Sequence, residues 1–343
     1  MCNQVDDPQL NKKKQKALSP EVKAALKKLA RPSLQRFVFA LVVDWSVIAL
    51  ALMFSACLPC WPVYLLSMMI IGVQMHALGV LGHEASHFCA TRNRQLNDAI
   101  GMFCCIWPLG GSLIGYRKFH QLHHRHLGTE KDPERHFFQA PEWKIPVQPG
   151  RPIIRFIQNC FGVNLKDYVL MIRGMLPQTG VELIGIPVWW AGLATILWSL
   201  GHLWLILIYA AAIPTVFWAL IELRGWTEHR GIAETHRYQT NWLFRLVLFP
   251  HNVWMHHEHH RWCYIPFYNL PAARSLDSSI PVVELNEVFS FLGNSDHQLY
   301  AEKNGYTLTK DHFHPGGSTG RENPGNSATA KEKKPGNLQQ SPV

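Results

Sequence analysis

The sequence predicts an all-α membrane protein, with four transmembrane helices in two hairpins and a cytoplasmic helical cap that carries clustered histidines. Two observations lead there. The formal charge of +9 is spread very unevenly, with no Lys or Arg from Val38 to Thr91 and none from Gly174 to Leu223. Both tracts are apolar, and the histidine clusters begin just beyond their ends. A nucleic-acid binder would carry its cations on its folded elements, so that class is excluded. Cations that avoid long apolar tracts mark a membrane protein.

The elements follow in order. Residues 1–33, with KKKQK and KKLAR, form a basic cytoplasmic arm, part of it an amphipathic helix. This polar, lysine-rich opening is unlike a cleavable signal peptide. The first apolar tract runs from Phe37 to Ala56, turns at CLPCWP and returns from Val63 to Gly82. The second runs from Val181 to Leu200, turns at SLGH and returns from Leu203 to Leu223. Each half is about 20 residues, enough to cross ~30 Å of hydrocarbon. The turns lack Lys and Arg, so they are expected on the outer side, with both termini in the cytoplasm. Ala99 to Tyr116 is also apolar but is broken by PLGG, which leaves a re-entrant segment, an interfacial one or a buried helix. The catalytic membrane domain is thus expected over 34–300, followed by a polar, disordered tail over 301–343. From Gly316 onward the composition cannot bury enough surface to order itself.

The eight cysteines show no regular spacing; their one CxxC, Cys57 to Cys60, is a weak zinc signal without a second pair, and most of the eight read as small buried hydrophobes. Cys57 and Cys60 could pair if they face an oxidising compartment.

The ten residues HNVWMHHEHH from His251 hold five histidines well inside the chain. His256, His259 and His260 are spaced by three and four. His120, His123 and His124 repeat that spacing in HQLHH, and His83 and His87 stand one helical turn apart in HEASH. His229 follows the fourth span in WTEH. All four groups lie beyond helix ends on the same expected side, so they can converge at the membrane surface. Nine imidazoles exceed what one ion takes, and two ions with open positions fit better. Nitrogen-rich, octahedral-leaning coordination with room for dioxygen favours iron, and ligand type alone leaves zinc as the alternative. Glu84, Glu228 and Glu258 are candidates to accept hydrogen bonds from the imidazoles, Glu258 first among them. His76 reads as a packing or cavity-lining group. His126, His251 and His257 read as hydrogen-bonding neighbours, and His136, His236, His297 and His312 as surface residues. Asp44 lies within the first span and must face protein or water.

The stretches GHEASH, YRKFHQLHHRHLGTEKDP, WTEHRG and NVWMHHEHHRWCYIPFYNLP resemble the membrane fatty acid desaturases and their hydroxylase and ketolase relatives. They extend from Gly82 to Pro271. The resemblance implies a non-haem diiron centre with dioxygen as co-substrate. Its ligands would be His83, His87, His120, His123, His124, His229, His256, His259 and His260. It also implies a lipid acyl substrate within the bilayer and a multi-pass protein, expected in a bacterial inner membrane. Hydroxylation or ketolation of a lipid or carotenoid is the alternative, and a histidine-rich metal transporter is a third reading. His314 opens HPGG, which looks like the haem-ligand motif of a fused b5-type domain, but no later histidine could serve as second axial ligand. Electrons are therefore expected from a separate ferredoxin or cytochrome.

Overall fold

A computed structural model describes residues 18–138, 140–293 and 296–314. Helix α1 spans Pro20–Leu29, opened by Ser19, whose hydroxyl accepts from the Val22 amide at 3.3 Å. It buries Leu26, so the end of the expected arm is part of the fold. KKKQK and the remainder up to residue 17 lie outside the described residues.

The first hairpin is α2, Leu34–Cys57, and α3, Trp61–Ser86. Leu58 leaves helical geometry at φ −126° and ψ 76°, because the ring of Pro59 disfavours the α conformation in the residue before it. Pro62 then sits in the first turn of α3, where its missing N–H costs nothing. Cys57 and Cys60 are exposed free thiols, so the pairing considered from sequence is not formed.

The apolar segment after Thr91 doubles back. Helix α4, Arg94–Ile100, continues into a π-helical stretch, Gly101–Ile106, and a 3-10 turn, Trp107–Leu109. Gly110 has φ +73°, and the chain bends by 93° into α5, Leu113–His126. Two short helices follow: α6, Arg151–Cys160, and α7, Leu165–Gly174. The second hairpin is α8, Gly180–Ser199, and a span over Leu205–Glu228. That span comprises α9, Leu205–Ala212, a π-helical Ile213–Phe217 and α10, Trp218–Glu228. Pro214 lacks an amide hydrogen, which accounts for the local change of ladder. Residue 201 turns the hairpin as a left-handed glycine at φ +77°.

These four helices are long and apolar enough to cross a membrane. They are not equivalent. In α3 and the fourth span 56% of the apolar window is buried, against 11% in α8, so α3 and the fourth span form the centre of the bundle. Its core includes Phe37, Ile48, Met75, Leu78, Tyr209 and Phe217. Phe39, Ile184 and Leu207 point outward, as lipid-facing residues do.

The remaining elements build the cap: α11, Trp242–Val247; α12, His256–Arg261; α13, Leu270–Arg274; α14, Leu285–Gly293; and α15, His297–Asn304. Strand β1, Tyr238–Gln239, pairs in parallel with β2, Val283–Glu284. A second core around Trp254, Trp262 and Phe249 lies under α12, and a third gathers Trp143, Trp226, Phe291 and Phe313. Residues 301–314, assigned to the tail by composition, belong to this third core through Ala301, Tyr306 and Phe313. Their apolar residues are too widely spaced to show as a periodic segment. Residues 315–343, including most of HPGG, lie outside the described residues.

Candidate metal centre

Box one ends α3. His87 already has non-helical geometry at φ −95° and ψ 7°, and Phe88 takes a positive φ of 61°. The guanidinium of Arg117 covers the Phe88 ring at 4.2 Å from its centroid. Box two occupies α5, where Tyr116 stacks on His120 with centroids 5.2 Å apart and planes within 9°. His229 follows the last residue of α10, and box three forms the short helix α12.

The structure brings all nine histidines together, but not box by box. His83, His87, His120, His124 and His259 form one cluster, and His123, His229, His256 and His260 form the other; in each, potential ligand atoms lie within 4.8 Å of one another. Helix geometry explains the division. At about 100° per residue, positions i and i+4 differ by ~40°, whereas i+3 turns to the other side of i. Thus the pair His120 and His124 faces the first cluster and His123 the second. On α12 the pair His256 and His260 faces the second cluster and His259 the first. The clusters touch where His124 stacks on His260, centroids 4.1 Å apart.

The donor set fits metal. Nε2 of His124 lies 2.9 Å from Nε2 of His120 and 3.1 Å from that of His259. In the second cluster, Nε2 of His256 lies 2.9 Å from that of His229 and 3.0 Å from that of His260. Nε2 of His83, His87 and His123 is buried without a protein partner. Several imidazole nitrogens aimed at one point have too few protons to satisfy each other, and a cation resolves the conflict. Burial, reinforced by neighbouring imidazoles, holds His256, His259 and His260 well below the ordinary histidine range. Burial also drives His229 down, and His87 falls to about 3 with Arg117 contributing. The neutral ring is the form that ligates metal.

The carboxylates around the clusters differ from expectation. Glu258 accepts from Arg237 at 2.7 Å and from Arg274 at 2.8 and 2.7 Å, and these guanidiniums hold its carboxyl below the usual range although burial pushes it up. Position 258 is turned about 200° from His256 on α12, so it faces away from the metal sites. Glu84 accepts the Phe267 amide at 2.8 Å. Glu228 pairs with Arg224 at 2.7 Å and stands 3.6 Å from His256 Nε2. The carboxylate that does bond an imidazole is Asp132, which accepts from His123 Nδ1 at 2.9 Å and orients Nε2 toward the cluster. Sequence reasoning missed it. Its signal was the Asp-Pro that closes the second motif, but a turn through left-handed Gly128 (φ +72°) separates it from the helix.

Other histidines have structural partners. His251 Nε2 bonds Asp44 at 2.8 Å, so the acidic residue of the first span pairs with the cap. His257 bonds Thr235 at 3.0 Å. His236 and His297 are buried, not at the surface as expected; His236 lies between Tyr300 at 3.1 Å and the Arg230 carbonyl at 3.0 Å. His76 is fully buried and lies in neither cluster.

A cavity of about 340 Å³ adjoins both clusters, bordered by His83 and His120 of the first and His229 and His256 of the second. Ile106 and Phe217, one from each π-helical stretch, line it with Leu109 and Trp218. These features define a multi-pass membrane protein with a buried, histidine-rich candidate metal site beside a largely apolar cavity. The fatty acid desaturase family model matches residues 59–281, which include all nine histidines, and the chain belongs to that family. It is a desaturase-like oxidoreductase. Dihydrorhizobitoxine desaturase of Bradyrhizobium elkanii is 26% identical over 81% of this chain and 86% of its own. The sphingolipid delta(4)-desaturase of Drosophila melanogaster is 28% identical over 60% of this chain and 63% of its own.

Proposed function

We propose that the protein introduces a double bond into the acyl chain of a membrane lipid, using dioxygen and two non-haem iron ions. One ion would be held by His83, His87, His120, His124 and His259, the other by His123, His229, His256 and His260. The observation that carries this reading is the paired clusters opening onto one apolar cavity. Iron with dioxygen would supply the oxidant for an unactivated C–H bond, which no side chain provides. The protein's own contribution is placement and exclusion of water. Ile106, Leu109, Phe217 and Trp218 confine an alkyl chain beside His83 and His120, and Asp132 fixes the ring of His123. The relatives named above differ in substrate but share desaturation in name, which favours it over hydroxylation or ketolation. A metal transporter would place ligands along the membrane interior, whereas eight of these nine lie beyond the ends of the spans and His83 in the last turn of α3.

A separate ferredoxin or b5-type cytochrome would deliver electrons from the cytoplasm. The arginine- and lysine-free hairpin loops favour an inner-membrane orientation with both termini inside. The test is the product mass in cells supplied with a defined acyl chain. Loss of two hydrogens is expected, and gain of one oxygen would replace this reading with hydroxylation.

A further inference from the structure

Helix α6 is inside out. Its polar residues Arg155 and Asn159 are buried, while Ile153, Ile154 and Ile157, with Phe161 just beyond, are half or more exposed. Arg155 bonds Glu222 of the fourth span at 2.5 Å and Asp167 of α7 at 2.8 Å, and Asn159 bonds Glu222 at 2.8 Å. A helix in water turns its apolar stripe to the core. The reverse arrangement is stable where the outside is hydrocarbon and the polar face has protein partners.

Helix α7 continues that surface. Leu165, Val169 and Leu170 are exposed, and the outward apolar face runs on through Leu176 to Val181, Leu183 and Ile184 of the membrane-spanning α8. The other face of α7, with Tyr168, Met171 and Ile172, and Met175 just beyond its end, lines the cavity beside the clusters. None of its described side chains is fully buried. Leu170 belongs to both sides, lining the cavity while exposed to the exterior. The segment entering α7 bends at Gly162, φ +71°, and the segment leaving it packs at Gly115, where a Cβ would come within 2.4 Å of the Leu176 carbonyl oxygen.

We infer that α6 and α7 lie in the bilayer interface and that α7 is the wall past which substrate enters the cavity sideways from the membrane. The occupant of the outer face is bilayer lipid, and the substrate is a membrane-resident lipid rather than a water-soluble acyl thioester. This deepens the desaturase reading and rests on it for the identity of the cavity.

The test uses the full-length protein in vesicles of phosphatidylcholine, phosphatidylethanolamine and ceramide with deuterated saturated chains. A photoreactive benzophenone side chain at position 169 should form lipid adducts, while the same group at exposed position 121 of α5, between the histidines of box two, should form none. Lack of a lipid adduct at 169 would overturn the placement of α7. With electron donor present, product should form from vesicle lipid at least about tenfold faster than from the same chain supplied as a coenzyme A thioester in the water phase, a difference of ~1.4 kcal/mol. Equal or faster turnover of the thioester would overturn sideways entry. Absence of product from both sources would count against the reaction proposed above, and the adduct would still decide where α7 lies.

Discussion

The two histidine clusters are neighbours built on different principles. The first takes five imidazoles from the end of α3, from α5 and from α12, and the carboxylate beside it among the described contacts is Glu84, 3.8 Å from His83. The second has four imidazoles, ringed by acids: Asp132 at 2.9 Å and Glu134 at 3.6 Å from His123, and Glu228 at 3.6 Å from His256. Fewer imidazoles thus go with more carboxylates nearby. A divalent ion can be held either by ligand number or by surrounding charge, and the two clusters would use one device each, on either side of the closest ring contact between them, His124 on His260.

Removing a ring is the most severe way to break this comparison. His259→Ala and His123→Ala each strip one cluster, and turnover should fall by more than about a hundredfold, beyond what losing a supporting group does. Metal content should drop from two ions toward one per chain. Full activity in both folded variants would end the assignment.

Glu258 sits within box three yet serves neither cluster. Glu258→Gln leaves Arg237 and Arg274 buried against a neutral partner, and a loss of roughly 3–5 kcal/mol is expected. Thermal unfolding in detergent measures it; an unchanged midpoint would mean that the ion network is not what holds α12.

Asp132→Asn tests the charge side directly. Metal affinity at the four-histidine cluster should weaken by about 10- to 100-fold, with the five-histidine cluster unaffected. Under chelator one ion should then leave well before the other, and simultaneous release would show that the clusters do not differ in this way. The smallest effect is expected farthest away. Cys57→Ser with Cys60→Ser, in the hairpin turn at the opposite end of the spans, should change stability by no more than ~0.5 kcal/mol. In intact cells, labelling of the native thiols by a membrane-impermeant reagent tests the orientation.

Much of the architecture was legible because its signals are local. The four spans appear as gaps in Lys and Arg, and Leu58-Pro59 marks the first turn. Eight of the nine histidines stand out because spacings of three and four place rings on neighbouring helix rows; His229 was found by its place after the fourth span. Glu258 misled because adjacency in sequence says nothing of direction, and two residues along a helix is nearly the opposite face. Asp132 was passed over because a left-handed glycine turn carries it back to His123. His236 and His297 looked like surface residues, as isolated polar residues usually are, but their partners come from the distant third core.

The sequence by itself determined the membrane class, the hairpins and which imidazoles could meet, since hydropathy, charge exclusion and helical spacing each act within a few turns of chain. Only the tertiary structure decided the five-and-four division, the role of Asp132, the Asp44–His251 tie and the reversed face of α6. Each depends on the angle at which one helix meets another, and on whether water or hydrocarbon lies outside it; neither is encoded within one segment.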